Sequence, residues 1–352
     1  MQAASEDQVS ENEADALFAP IAGVGAVGAC VSGGPDSLAL LHLLGRWRDR
    51  LQNGPRIEVL TVEHGLRPSG RSEAEAVVAL ARGHYKLPAR ILRWQGPRPS
   101  SGVEEAAREA RYRLLAEAAQ ESGISHLVLA HHRDDQAETV LMRLSRGSLA
   151  YGLAGMRPLT RRGSLTLFRP FLSLPKSRLQ AVVKAAGLNA ADDESNRDRR
   201  FLRSRLRVLM PVLAEEGLSA DRLAGLAASM GRVKDALDFY VDRLLAEALT
   251  ADPSGCSLCL PLFLAAPLEI RLRLLARLLR GMGGGVYTPR LASLEALERA
   301  LAGQRHFKRT LAGIVVSKTE GVASFRREGK RGPRRAAEMS ASAISPARFT
   351  FP

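Results

Sequence analysis

Ser32-Gly33-Gly34-Pro35-Asp36-Ser37, directly after the apolar run Ala26–Val31, is a segment built to hold phosphate. Its glycines allow a tight turn that points several backbone N–H groups into one concavity. A helix beginning near Leu38 adds unpaired N-terminal donors and a partial positive charge. Ser32 and Ser37 supply hydroxyl donors, whereas Asp36 puts a carboxylate where an anion should sit. A divalent cation resolves that clash, because Mg2+ is usually held by one or two carboxylates together with phosphate oxygens. Asp36 is therefore the candidate metal ligand. A capped strand–helix turn would account for two glycines alone. The complete six-residue string after an apolar strand points instead to a nucleotide site.

A second constellation, His131-His132-Arg133-Asp134-Asp135-Gln136-Ala137-Glu138-Thr139, follows the apolar run His126–Ala130. Acids near a helix N-terminus are expected from capping and the helix dipole alone. The chain has neither an HExxH spacing nor a second cysteine pair, so a zinc enzyme is not indicated. Asp135 and Glu138 are read as groups that bind a cation, either Mg2+ or the ammonium of a substrate. Glu104–Tyr112 reads as a helix in which Glu104/Arg108 and Arg108/Tyr112 are four apart, with Arg111 on another face. On its own it is an ordinary amphipathic helix.

Asp192-Asp193-Glu194-Ser195-Asn196 gives way abruptly to Arg197, Arg199, Arg200, Arg203, Arg205 and Arg207. Arg199, Arg203 and Arg207 share one helix face, where like charges repel unless something anionic neutralises them. A solvated basic face is the plainer account; RNA or nucleotide phosphate is preferred. Cys256-Ser257-Leu258-Cys259 is the only CxxC, and one pair with a distant Cys30 cannot complete a four-cysteine site. Packing is its simplest role.

The elements that must position these residues alternate. Strands are expected at Ala26–Val31, Ile57–Val62, Ala89–Leu92 and His126–Ala130, and helices at Leu38–Arg50, Ser72–Gly83, Val103–Ser122 and Asp135–Arg146. Such βαβα order implies an α/β fold with a parallel sheet covered on both faces. Ligands bind beyond the carboxyl ends of such strands, so Ser32–Ser37, Glu63–Arg67 and His131–Asp135 should converge on one crevice. A connector rich in Gly, Pro and Arg runs from 146 to 175, with one apolar run at Leu165–Phe168. Beyond it the pattern is mainly helical, with short runs near Ser257–Phe263 and Gly313–Val316 suited to a small sheet. The expected organisation is a tail over 1–20, a catalytic domain over 21–215, a mainly helical domain over 216–325 and a basic flexible tail over 326–352.

Of 352 residues, 45% are hydrophobic and 25% charged, as in ordinary soluble proteins, and the length suits two domains. Aromatics at 5% argue against a base-stacking sheet. The 51 Lys+Arg against 37 Asp+Glu give +14, which favours a polyanionic partner, nucleic acid ahead of an anionic membrane. Three cysteines cannot make a disulfide framework, and the acidic Met1–Ala14 is no signal peptide. No apolar run reaches the roughly 20 residues that span a bilayer. A cytoplasmic location without membrane attachment is expected.

Taken together, Ser32–Ser37, Val62-Glu63-His64-Gly65-Leu66-Arg67, Glu105–Tyr112, His131–Thr139, Leu144–Gly147, Gly152-Leu153-Ala154-Gly155-Met156, Arg169-Pro170-Phe171-Leu172 and Asp193–Arg207 resemble the PP-loop (N-type) ATP pyrophosphatases. Within these the chain is similar to the tRNA(Ile)-lysidine synthases. The strings span about residues 25–211 in the family's order. Two positions depart from the pattern: Glu63 replaces the usual Asp before His-Gly-Leu-Arg, and Ser204 replaces Asn in the arginine block. The resemblance implies an adenine nucleotide alpha hydrolase-like catalytic domain that uses ATP and Mg2+. It further implies an isoleucine tRNA with a CAU anticodon and free L-lysine as substrates, joined as lysidine at the wobble cytidine, with a homodimer as one expected assembly. ATP would contact Ser32, Gly33, Gly34, Pro35, Asp36, Ser37 and His64. Catalytic roles would fall to Asp36, Arg111 and Asp135, lysine binding to Asp135 and Glu138, and tRNA binding to Arg203, Arg205 and Arg207. The rival readings are a PP-loop tRNA 2-thiolase, which would need a cysteine at the site, and a catalytically silent tRNA-binding protein of the same fold.

Overall fold

The computed structural model describes residues 8–65, 68–95, 102–148, 150–191, 202–252, 254–283 and 289–328. Arg67, the acid-to-base switch from Asp192 through Arg200, and residues 1–7 and 329–352 of the two expected tails lie outside the described residues. The chain divides into two compact units, residues 1–231 and 232–352.

The first unit opens with helix α1 (Glu11–Phe18), capped by the Ser10 hydroxyl, which accepts the Glu13 N–H. There follow β1 (Ala26–Cys30), α2 (Pro35–Arg50), β2 (Arg56–Glu63), α3 (Gly70–Gly83), β3 (Ala89–Arg93), α4 (Val103–Glu121), β4 (His126–Val128) and α5 (Arg133–Leu144). After them come a single turn α6 (Ala150–Leu153), β5 (Leu159–Arg162), β6 (Leu165–Phe168), α7 (Lys176–Ala185) and α8 (Leu202–Glu215). The six strands form one sheet in the order β3-β2-β1-β4-β6-β5. All pairings are parallel except β5 against β6.

Strand β1 is short, small and apolar because it lies at the centre of this sheet, paired to β2 on one side and β4 on the other. The chain winds outward from β1 to β3 and then crosses back to place β4 on the opposite side. Strand order thus reverses between β1 and β4, the place where open α/β sheets bind ligands. On one face α2 buries Leu40, Leu41, Leu44 and Trp47. The Trp47 ring meets Phe18 at 5.3 Å between centroids, and Phe18 in turn meets Phe171 edge-on at 6.1 Å. Phe171 thereby anchors the Arg169-Pro170-Phe171-Leu172 string to the core just after β6. Strand β5 lies inside the connector rich in Gly, Pro and Arg, ahead of its one apolar run. Its four residues, Leu-Thr-Arg-Arg, are all exposed at the sheet edge, so no apolar alternation marks it.

Helix α9 (Ala220–Ala248) carries the division between the units. The second unit continues with β7 (Leu249–Asp252), β8 (Gly255–Cys259), α10 (Leu260–Ala265), α11 (Leu268–Met282), α12 (Leu291–Gly303), β9 (Phe307–Leu311), β10 (Ile314–Thr319) and β11 (Val322–Arg327). Among the described residues its antiparallel sheet has five strands in the order β7-β8-β11-β10-β9, more than the two short runs anticipated. Helix α11 buries Ile270, Leu274 and Leu278, spaced by four, against Phe263 and Phe325. Cys256 and Cys259 stand three apart on β8, so their side chains leave opposite faces of the sheet. Cys256 is fully buried, with its Sγ 3.5 Å from Met282 Sδ, a packing contact. Among the described residues no helix is long and apolar enough to cross a membrane.

Candidate active site where strand order reverses

The turn after β1 is shaped by its own side chains. Gly33 has φ +88, a conformation L side chains rarely adopt, and its carbonyl accepts the Ala191 N–H at 3.0 Å. Ser37 is buried, and its Oγ donates to the Gly34 carbonyl at 2.9 Å while accepting the Ser32 N–H at 3.1 Å. Gly34 is the N-cap of α2 and Pro35 its first residue, with no side-chain cap on the helix end. The first-turn N–H groups therefore remain as anion donors, and proline gives up only an N–H that would be unpaired anyway. Asp36 sits in this first turn. Its Oδ1 is buried and makes no hydrogen bond among the described residues.

The Asp36 Oδ2 atom faces the second constellation. His132, buried at the N-cap of α5, lies with Nε2 3.4 Å from both Asp36 Oδ2 and Asp135 Oδ2, and Nδ1 3.5 Å from Asp134 Oδ2. Burial alone would discharge the imidazole. The hydrogen bonds to Asp134 and Asp36, with the Asp135 charge, outweigh it and raise His132 to about 9. The imidazolium donates from both nitrogens. Nδ1 then cannot also accept the Asp135 N–H, 3.4 Å away, so that half of the apparent capping box is a contact only; the Asp135 carboxylate still accepts the His132 N–H at 3.1 Å. Asp134 also accepts the first N–H of α7, from Lys176 at 2.9 Å. The His132 hydrogen bond is the chief reason why Asp134 is held down at about 2.

One and two turns along, Arg203 and Arg207 of α8 reach the same helix. Arg203 binds Asp135 Oδ1 and Glu138 Oε2, each at 2.6 Å, and Arg207 Nε binds Glu138 Oε1 at 2.8 Å. Glu138 is 2% exposed and would be untenable without such partners. The sequence assigned these arginines to tRNA and these acids to a cation; the structure brings the two sets together, while Arg205 is exposed on α8. Among the described residues, Asp36, Asp134, Asp135 and Glu138 face His132, Arg203 and Arg207, four acids against three cations.

His64 and Arg111 also meet. Arg111 Nε on α4 lies 3.3 Å from His64 Nε2, just beyond the end of β2. A guanidinium only donates, so His64 Nε2 accepts and the ring is neutral with its proton on Nδ1. Burial and the Arg111 charge lower His64 to about 4. Glu63, the longer carboxylate at the end of β2, pairs with Arg93 at 3.1 Å.

Three further residues, which no motif spacing singles out, hold the site together. Gln136 uses its amide to accept the Met156 N–H at 2.7 Å and donate to the Met156 carbonyl at 2.8 Å. Arg143 donates to the carbonyls of Gly152 and Gly155 at 2.7 and 2.8 Å. Both clamp the Gly152–Met156 turn onto α5, the helix that carries Asp135 and Glu138. Arg169 is 7% exposed and donates to the Arg157 carbonyl and to Thr160 Oγ1. Gln136 and Arg169 stand in the shared strings and Arg143 just before one; their partners lie 9 to 20 positions away, beyond any local spacing rule.

This crevice, with its uncapped helix N-terminus and glycine turn at a strand-order reversal, is that of a PP-loop domain, and a family profile described as a PP-loop domain matches residues 6–213. A tRNA(Ile)-lysidine synthase from a Bradyrhizobium species is 49% identical over 89% of this chain and 93% of its own length. Those of Rhodopseudomonas palustris and Bradyrhizobium diazoefficiens are 46% and 43% identical, over 91% and 92% of this chain and 95% and 97% of theirs. The chain belongs to the tRNA(Ile)-lysidine synthase family. The U34-tRNA thiolase NcsA of Methanococcus maripaludis, solved with its [4Fe-4S] cluster, shares the fold at a TM-score of 0.53 and 17% identity, covering 66% of this chain and 78% of that one.

Proposed function

We propose that the chain adenylates the wobble cytidine of an isoleucine tRNA with a CAU anticodon and then joins lysine to it. In this reading ATP enters with its β- and γ-phosphates on the Ser32–Ser37 turn. The cytidine C2 oxygen attacks the α-phosphorus, and pyrophosphate departs into the N–H donors at the start of α2. Arg111, held by His64, steadies the α-phosphate. The lysine ε-amine, neutral when it attacks, then forms the bond to C2 and AMP leaves with the oxygen. Asp135 and the net negative charge around it attract and orient the lysine ammonium before it loses its proton.

Asp36 fits a hard cation: its buried Oδ1 has no hydrogen-bond partner among the described residues, and no group of three or more His, Cys, Asp or Glu placed to hold a metal ion occurs among them. One carboxylate plus phosphate oxygens is the arrangement Mg2+ favours. Bound there, the ion would neutralise phosphate charge and stabilise the leaving pyrophosphate. The single observation that supports the reading best is the His132 bridge, which ties the phosphate turn to the carboxylates of α5. The thiolase alternative is disfavoured by Cys30, whose thiol burial pushes up to about 12 despite Arg111 nearby.

The deciding experiment is mass spectrometry of the tRNA nucleosides after incubation with ATP, Mg2+ and lysine. Wild type should yield a lysine adduct of cytidine, and Asp36→Ala none. A thiolated base, or no change in wild type, would overturn the assignment. Gel filtration with light scattering tests the homodimer, which a monomer mass at working concentration would exclude.

A further inference from the structure

We propose a phosphate-binding clamp for the substrate tRNA on the catalytic unit, made by Arg108, Tyr112, Arg162 and Arg169 and distinct from the arginines of α8. The proposal rests on the function proposed above. The Arg162 guanidinium, on edge strand β5, stacks over the Tyr112 ring at 3.9 Å, and Arg108 lies 5.4 Å from the same ring. A guanidinium held by its face keeps its in-plane N–H donors directed outward, the geometry that grips a phosphate. Both arginines are exposed, and neither has a carboxylate partner among the described residues.

Beneath the stack sits Arg169. It is more than nine-tenths buried, donates only to neutral oxygens, and its Nε has no hydrogen-bond partner among the described residues. Its guanidinium lies against the Tyr112 hydroxyl and feels Arg108 as a like charge. A buried cation without a counter-charge is costly, and an anion seated above it removes that cost. Thr160 ties the arrangement together: it shares a face of β5 with Arg162, and its hydroxyl accepts from Arg169. His131, after β4, is lowered to about 4 by burial with Arg169, Arg203 and Arg108 adding to it, which places this cationic patch beside the catalytic crevice.

The occupant is a backbone phosphate of the tRNA rather than of ATP. The triphosphate has its own donors at the Ser32–Ser37 turn, whereas Arg108 and Arg162 stand at the exposed rim of the sheet edge. By contrast, Arg203 and Arg207 are engaged by Asp135 and Glu138. An edge strand carrying arginine is thus explained by its partner as well as by protection of the edge.

The test uses the full chain and a transcript of the CAU-anticodon isoleucine tRNA. Binding is followed by fluorescence anisotropy over a salt series for wild type, R108Q/R162Q and R162K, with ATP affinity measured in parallel. The double variant should bind tRNA about tenfold more weakly or worse. The slope of log K against log salt should fall by about 1 to 2, as expected for two lost phosphate contacts. ATP affinity should hold within twofold. R162K keeps the charge but loses the stacked fork, so its affinity should fall between the two. Unchanged tRNA affinity and slope in the double variant would overturn the clamp, as would a parallel loss of ATP affinity, which would assign these arginines to the nucleotide. Absence of tRNA binding by wild type would instead remove the underlying functional reading.

Discussion

His132 Nε2 and Asp36 Oδ2 lie 3.4 Å apart across the point where strand order reverses, so a single imidazole joins the phosphate turn after β1 to the helix after β4. The same nitrogen is 3.4 Å from Asp135. Two strands that come together only through the crossover of an α/β sheet thus present their loops as one network. A cation bound at Asp36 and an ammonium bound near Asp135 would each sense the other through His132.

Replacing His132 should therefore damage both stability and chemistry. His132→Gln keeps some hydrogen-bonding capacity but leaves Asp36, Asp134 and Asp135 without their shared charge. Removal of one partner from a buried ionic cluster costs about 3 kcal/mol, to be read from urea unfolding. ATP–pyrophosphate exchange in the presence of tRNA should fall by at least about a hundredfold, within the usual range for a lost electrostatic group. A variant as stable as wild type and with normal exchange would show the bridge to be incidental.

The His64–Arg111 contact makes a separate claim about protonation. With a folded value of about 4 against 6.5 for the free side chain, His64 stays neutral where the unfolded chain already takes up a proton. Its contribution to stability is complete above about pH 6.5 and fades as the pH falls toward 4. A histidine NMR titration should show a ring that has its midpoint near 4, as His131 also does, and that disappears in His64→Gln. Arg111→Gln should raise that midpoint without restoring it fully, since burial is the larger cause. A His64 midpoint of 6 or more in wild type would refute the accepting geometry.

Thiol chemistry separates the lysine reading from a sulfur-transfer one. Burial raises Cys30 and Cys256 to about 12 each, so at pH 8 only about one molecule in ten thousand carries either thiolate. Iodoacetamide should leave both residues unmodified in the native protein and label both after denaturation, as peptide mass spectrometry would report. Cys30→Ser should retain lysidine formation. Rapid native alkylation of Cys30, or loss of product in a folded Cys30→Ser protein, would reopen the thiolase reading.

The catalytic sheet was legible because β1, β2 and β4 are largely buried apolar runs broken by helical periods, and Ala26–Val31 anticipates β1 to within a residue. The convergence of Ser32–Ser37 with His131–Asp135 followed from the same topology. Strand β5 was not legible: Leu159-Thr160-Arg161-Arg162 is held by backbone pairing to β6 at an exposed edge, and side-chain pattern carries no trace of that. The spacing of Arg203 and Arg207 showed one helix face seeking negative charge, which was correct as electrostatics. It could not show that the charge resides on α5, because a helix periodicity specifies a face and not what it meets. Gln136 looked like any polar residue in a helix, and its double bond to Met156 is a tertiary fact.

That last bond supports a prediction about the Gly152–Met156 turn. Gly155 has φ +61, and a Cβ there would lie 2.7 Å from Gln136 Oε1, so Gly155→Ala combines backbone strain with a clash against the residue that holds the turn. Gln136→Ala removes the same clamp without strain, leaving the Met156 N–H and carbonyl without their amide partner at about 1 to 3 kcal/mol for each group that stays buried. Both variants should lower the melting temperature, and Gly155→Ala should be the worse. Because the clamp bears on α5, product formation at saturating ATP, lysine and tRNA should fall in both. In the double variant Gln136→Ala/Gly155→Ala the clash is gone, so its stability loss should be smaller than the sum of the single losses. Strict additivity in urea unfolding would mean that the two residues do not act on one another, contrary to the geometry.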